Sequence, residues 1–195
     1  MCTDLISHTP ARGRSNIKAP CASLWVFRRT DAGTITITPS NTGTSLTDDD
    51  IQAELASQIQ ANVLPAATAD TYFAIYFPPG FSIDAGGGQL SCQYFCAYHS
   101  TMASSPHNLY YAVVPDFGSG SGCDLGCGAG SLFDNVTTVS SHELIEAVTD
   151  PEIGLATDNA PPLAWYDVVN GEVADICVGG SDNLDGYVVQ KMWSN

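Results

Sequence analysis

Between residues 30 and 190 the chain has no lysine and no arginine. All six cations sit at Arg12, Arg14, Lys18, Arg28, Arg29 and Lys191, and the cation-free stretch carries twenty of the 21 carboxylates, for a formal net charge of -15. Nucleic acid is excluded as a partner, because phosphate binding depends on basic side chains. An acid drawn toward the core from this stretch must accept backbone N–H groups, stay protonated or hold a cation. Asp48, Asp49, Asp50, Asp182 and Asp185 read instead as solvated loop residues. Apolar runs of membrane-spanning length are missing, which excludes a helical membrane span. The first twenty residues also lack the apolar stretch of a secretory leader. Charged residues make up only 14% against 44% hydrophobic, too apolar a balance for a disordered chain.

Cysteine, by contrast, is plentiful. Seven cysteines in 195 residues point to an oxidising compartment and an extracellular protein. Cys92 and Cys96 share one spacing with Cys123 and Cys127. A four-thiolate zinc site usually has two residues between partners, and here there are three, so disulfides are expected, with connectivity open. The odd thiol falls among Cys2, Cys21 and Cys177.

The length suits one domain. Residues 1–22 read as an irregular N-terminal segment and 23–195 as a single mixed α/β (α+β) domain. Strands are expected at "SLWVF" (23–27), "GTITITP" (33–39), "TYFAIYF" (71–77), "CQYFCAYHS" (92–100, ending near His99) and "NLYYAVVP" (108–115). Thr47 with Asp50 resembles a capping box, opening a helix whose Ile51, Leu55 and Ile59 form one buried stripe. A Gly-rich loop (118–130), pinned by its cysteines, could border a cleft. A second helix follows over 134–149, with Asp134 or Asn135 as cap and Pro151 beyond its end. The tail, with "LAWYDVV", "GEVADIC" and "GYVVQKMW", reads as short strands and turns.

The second helix carries "SSHELIEAVTD". At 100° per residue, His142 and Glu146 lie about 40° apart on one face, with Glu143 beside them. Leu144 and Val148 point away and are expected to pack on a sheet. Two ligands at i and i+4, with a carboxylate after the first, make the arrangement of a zincin helix: His142 and Glu146 bind the metal and Glu143 is general base toward a metal-bound water. A glutamate in place of the second histidine makes a harder site, more tolerant of other divalent ions. Glu143 and Glu146 repel each other, and no basic residue nearby in sequence offsets that. The third ligand is expected about twenty residues on, at Asp167, ahead of Asp175, His99 and Asp150. Tyr166 or His99 is expected to stabilise an oxyanion; His8 and His107 have no assigned role.

The stretches "CAYHS", "YYAVVPD", "CDLGC", "VTTVSSHELIEAVTDP", "AWYD", "GEVADIC" and "GYVVQKMWSN" together resemble the Exordium or phosphate-induced family, over most of residues 70–195. The likeness is strongest to its microbial branch, which looks like a zincin-type metallohydrolase, whereas the plant members are secreted, cell-wall-associated proteins linked to growth. The resemblance implies a zincin-like fold and secretion. Residues and resemblance together lead to two expectations. One is a secreted zinc-dependent peptidase acting on peptide or protein substrates, with neither membrane nor nucleic acid as partner. The other is a non-catalytic extracellular module binding cell-wall carbohydrate or a partner protein, its acids holding Ca²⁺ or nothing, with Trp25, Trp165 and Trp193 available for sugar stacking.

Overall fold

In a computed structural model of the chain, residues 2–3, 31 and 33–194 are described. In chain order the elements are β1 (Cys2–Thr3), β2 (Ser45–Thr47), α1 (Asp48–Gln60), β3 (Tyr72–Tyr76), β4 (Ser82–Asp84), β5 (Tyr98–Met102), β6 (Leu109–Val114), α2 (Leu132–Thr149), β7 (Ser181–Leu184), β8 (Tyr187–Gln190) and β9 (Met192–Trp193). The expected strand over 23–27, Trp25 included, lies outside the described residues. So does most of the N-terminal segment, although Cys2 and Thr3 pair antiparallel with Trp193 and Met192.

The main sheet is mixed. Strand β6 runs through its middle, parallel to β3 and antiparallel to β5. β6 is nearly all apolar, as a strand covered on both faces must be. Helix α1 opens with the expected Thr47–Asp50 capping box and buries Ile51 and Leu55. These join Ile83, Leu109, Tyr111 and Val113 in one cluster, with Ile59 packed against it. Asp48 is not a solvated loop residue. It accepts hydrogen bonds from the hydroxyls of Tyr98 (2.5 Å) and Tyr111 (2.8 Å) and from the Gln52 amide (2.7 Å), tying α1 to the sheet. Burial of both phenols and the Asp48 carboxylate beside them hold each hydroxyl well above its ordinary pKa.

Helix α2 lies over β5 and β6 on one side and against β8 on the other. It starts earlier than expected, with Ser131 as cap and Asp134 as the reciprocal third-position partner. Asn135 instead turns inward to bond Gly130 N and O. The two helix faces also differ from expectation. Val148 is exposed, and the buried residues are Asn135, Glu143 and Glu146. The helix is wedged between a sheet and a hairpin, so its apolar contacts are spread around it: Val136 and Val139 pack on the disulfides, Ile145 on Val173, Ala174 and Met192. Trp165 and Trp193 also pack against Val173, Ala174 and Met192, with ring centroids 5.3 Å apart, as core residues do.

Disulfides cross-link the two cysteine pairs, Cys92 to Cys123 and Cys96 to Cys127. Cys177 is disulfide-bonded too and is not the odd thiol. The cysteine-bearing stretch before β5 is turns rather than strand: Cys92 has φ 63, in the left-handed region, and β5 begins only at Tyr98. Residues 33–39 form no strand; Ile35 and Ile37 alternate correctly but have no partner strand among the described residues. In the tail, 163–169 contributes a single bridge, Asp167 to Gly171, and "GEVADIC" ends in a 3-10 turn, Asp175–Cys177. No helix of the described residues is long and apolar enough to cross a membrane. These disulfides in one small domain fit an oxidising environment.

Candidate metal centre

Three chain segments bring the site together. The pleat of β5 turns His99 and Thr101 inward, and Thr101 Oγ1 donates to the Pro151 carbonyl just past the end of α2. Helix α2 presents His142, Glu143 and Glu146. The third segment, 171–175, passes beside both. Gly171 has φ +81, and a Cβ there would meet Asp175 Oδ2 at 2.2 Å, so only glycine lets Asp175 fold back.

Both carboxylates that face His142 are held by backbone through one oxygen. Glu146 Oε1 accepts from the N–H groups of Ala174 and Asp175, each at 3.1 Å, and Oε2 lies 3.0 Å from His142 Nε2. Asp175 Oδ2 accepts from Glu172 N at 3.0 Å, and its Oδ1 lies 3.5 Å from His142 Nε2. On the other ring edge, His142 Nδ1 is 3.0 Å from Gln190 Oε1. Deeper in, His99 Nδ1 is 3.4 Å from Glu143 Oε2 and 3.7 Å from Glu146 Oε2, while its Nε2 is 3.5 Å from Glu172 Oε1. His99 Nε2, Glu172 Oε1 and Asp150 Oδ2 are buried without a hydrogen-bond partner.

Two groups of ligand atoms result, each within 4.8 Å of one another: His99, Glu143 and Glu146, all buried, and His142, Glu146 and Asp175, opening toward solvent. The buried group could hold a metal ion. The spacings fit one, since ligands ~2.1 Å from a tetrahedral ion stand about 3.4 Å apart. The donor set, imidazole nitrogen with carboxylate oxygen, suits zinc and its neighbours.

Without an ion, protons must offset the charge. Burial alone would lower the His142 pKa, but the carboxylates of Glu146 and Glu143 raise it to about 9. His99 behaves likewise: burial opposes, Glu143 and Glu172 prevail, and the imidazole reaches about 10. Burial pushes Glu172 up to about 7 against the pull of His99, and burial also raises Asp150. Lys191 pairs with Asp182 of β7 at 3.2 Å.

The expected ligands are thus only partly gathered. His142 and Glu146 meet as expected, and Asp175 and His99 adjoin them. Asp167 belongs to neither group. Its Oδ1 accepts from the N–H of Val169 and Asn170 and from the Asn170 amide, shaping its own turn, and these bonds, that of Asn170 foremost, hold its pKa below the usual range. Tyr166 is exposed beside that turn. Asp150 is fully buried as the α2 C-cap, accepting from Ala164 N at 2.8 Å. Glu143, expected to face a bound water, is buried against His99. Glu172 and Gln190 carried no recognisable spacing signal; only the fold brings them to the imidazoles.

No family model, curated protein or solved structure matches the chain.

Proposed function

We propose that the chain is a secreted, zinc-dependent hydrolase of peptidase type, a zincin-like member of the Exordium family's microbial branch. One observation carries the metal: His142 Nε2 meets two carboxylate oxygens, each belonging to a group whose other oxygen is already tied to backbone. In this reading His142, Glu146 and Asp175 hold the ion, with Asp175 in the place expected for Asp167. Zinc there would supply Lewis-acid chemistry, acidifying water and polarising a carbonyl. Glu143 takes the proton from the attacking water and returns it to the leaving amine. His99, 3.4 Å from Glu143 Oε2, fixes the direction of that carboxylate. Tyr166 is the hydroxyl assigned to the developing oxyanion. The net charge of -15 favours neutral or cationic peptides over acidic ones.

The test is casein or peptide-library cleavage by zinc-loaded protein alongside Glu143→Gln. Loss of at least about 100-fold in rate, with zinc retained, is expected for a general base. Equal rates in the two proteins would remove Glu143 from this role. A second reading, a non-catalytic extracellular module with a structural Zn²⁺ or Ca²⁺, is favoured by the closure of the His99, Glu143 and Glu146 group, since structural sites are closed. A wild type that binds metal, melts higher with it and cleaves nothing would establish that reading instead.

A further inference from the structure

Gln190 touches every segment that builds the open group. Its side-chain amide donates from Nε2 to the Ala174 carbonyl at 2.7 Å, and its Oε1 faces His142 Nδ1 at 3.0 Å. Its backbone N–H donates to Ser141 Oγ at 2.9 Å, one residue before His142. Ala174 in turn gives its N–H to Glu146 Oε1, and the next residue is Asp175. Gln190 as a whole is nine-tenths buried.

This arrangement admits only one orientation of the amide. Turning it over would set Oε1 against the Ala174 carbonyl, acceptor against acceptor. With Oε1 toward the imidazole, His142 Nδ1 must be the protonated nitrogen. Once an ion displaces the second proton of the ring, the bare nitrogen is Nε2, and it points at Glu146 Oε2 and Asp175 Oδ1. Three electron-rich atoms converge where a cation belongs.

We infer that Gln190 is a positioning residue for the metal centre: it selects the Nδ1–H form of His142 and aims Nε2 at the ion. The inference rests on the metal-binding part of the proposed function and not on hydrolysis. An outer acceptor of this kind typically contributes 10–100-fold to metal affinity.

Two substitutions separate aiming from mere bridging. Gln190→Met keeps length but offers His142 no acceptor; Gln190→Glu keeps the acceptor and loses the donor to Ala174. Zinc affinity, read by competition with a chelator, is expected to fall 10–100-fold in Gln190→Met and to stay within a few-fold of wild type in Gln190→Glu. Two-bond ¹H–¹⁵N spectra of zinc-loaded wild type should show His142 protonated at Nδ1. Metallation through Nδ1, wild-type affinity in Gln190→Met, or equal losses in both variants would overturn the inference and leave the hydrolase reading standing. A wild type that binds no zinc would end both, whereas zinc bound as described without casein cleavage would end only the hydrolase.

Discussion

In the proposed centre zinc and a proton compete for the same nitrogen, and the contest can be measured. In the metal-free protein the Glu146 and Glu143 carboxylates outweigh burial and hold the His142 pKa at about 9, so the ring is an imidazolium at neutral pH. An ion that uses Nε2 must displace that proton. At pH 7, two units below, the displacement costs about 2.7 kcal/mol, or about 100-fold in affinity. Chelator competition should therefore show affinity rising about tenfold per pH unit from pH 7 to 9 and levelling off above. Titration calorimetry in buffers of different ionisation enthalpy should count about one proton released per ion bound through His142. The metal-free protein carries the matching signature. Both histidine values are raised on folding, so the stabilisation they bring is complete below about pH 6.5. It is lost as pH climbs through 9 for His142 and 10 for His99. Its melting temperature should fall from pH 7 to pH 10, and zinc should lessen the fall. Affinity that does not change between pH 7 and 9, with no buffer-dependent heat, would refute the argument.

Asp175→Ala should weaken zinc binding at least about tenfold, while Asp167→Ala, which loses only exposed turn hydrogen bonds, should leave it unchanged in the same chelator competition. Asp48→Ala strips the partner from two buried tyrosine hydroxyls and should cost about 2–4 kcal/mol in urea melts. Replacing Cys92, Cys96, Cys123 and Cys127 together by serine frees a span of 31 residues that either bridge alone would still close, and should cost at least about 3–4 kcal/mol, checked by chemical denaturation under non-reducing conditions.

Local signals in the chain were legible where the physics is local. The Thr47–Asp50 cap, the Ile51–Leu55–Ile59 stripe, the strand at β3 and the shared face of His142 and Glu146 all depend on neighbours within one or two turns. The Asp134 cap was misread because Ser131 and Asp134 cap each other, and the reciprocal pair looks the same from either end. The Leu144 and Val148 stripe failed because α2 is sandwiched, which leaves no single inward face. Residues 33–39 alternate as a strand should, but alternation cannot supply a partner. Spacing alone favours Asp167; the tight turn closed by Gly171 shifts the facing carboxylate eight positions along to Asp175. Gln190 and Glu172 were invisible, since an outer acceptor has no required distance in sequence from the imidazole it serves.

Helix α2 is fastened by unlike chemistry at its two ends. Its early turns, at Val136 and Val139, rest on the covalent frame of the two disulfides, while its late turns are gripped by ionisable groups. Thiol reagents act on the first fastening and chelators or alkali on the second. One rod therefore has two independent release points: amide exchange should quicken first around residues 136–139 under reductant, and first around 142–149 in alkali or when the ion proposed there is withdrawn.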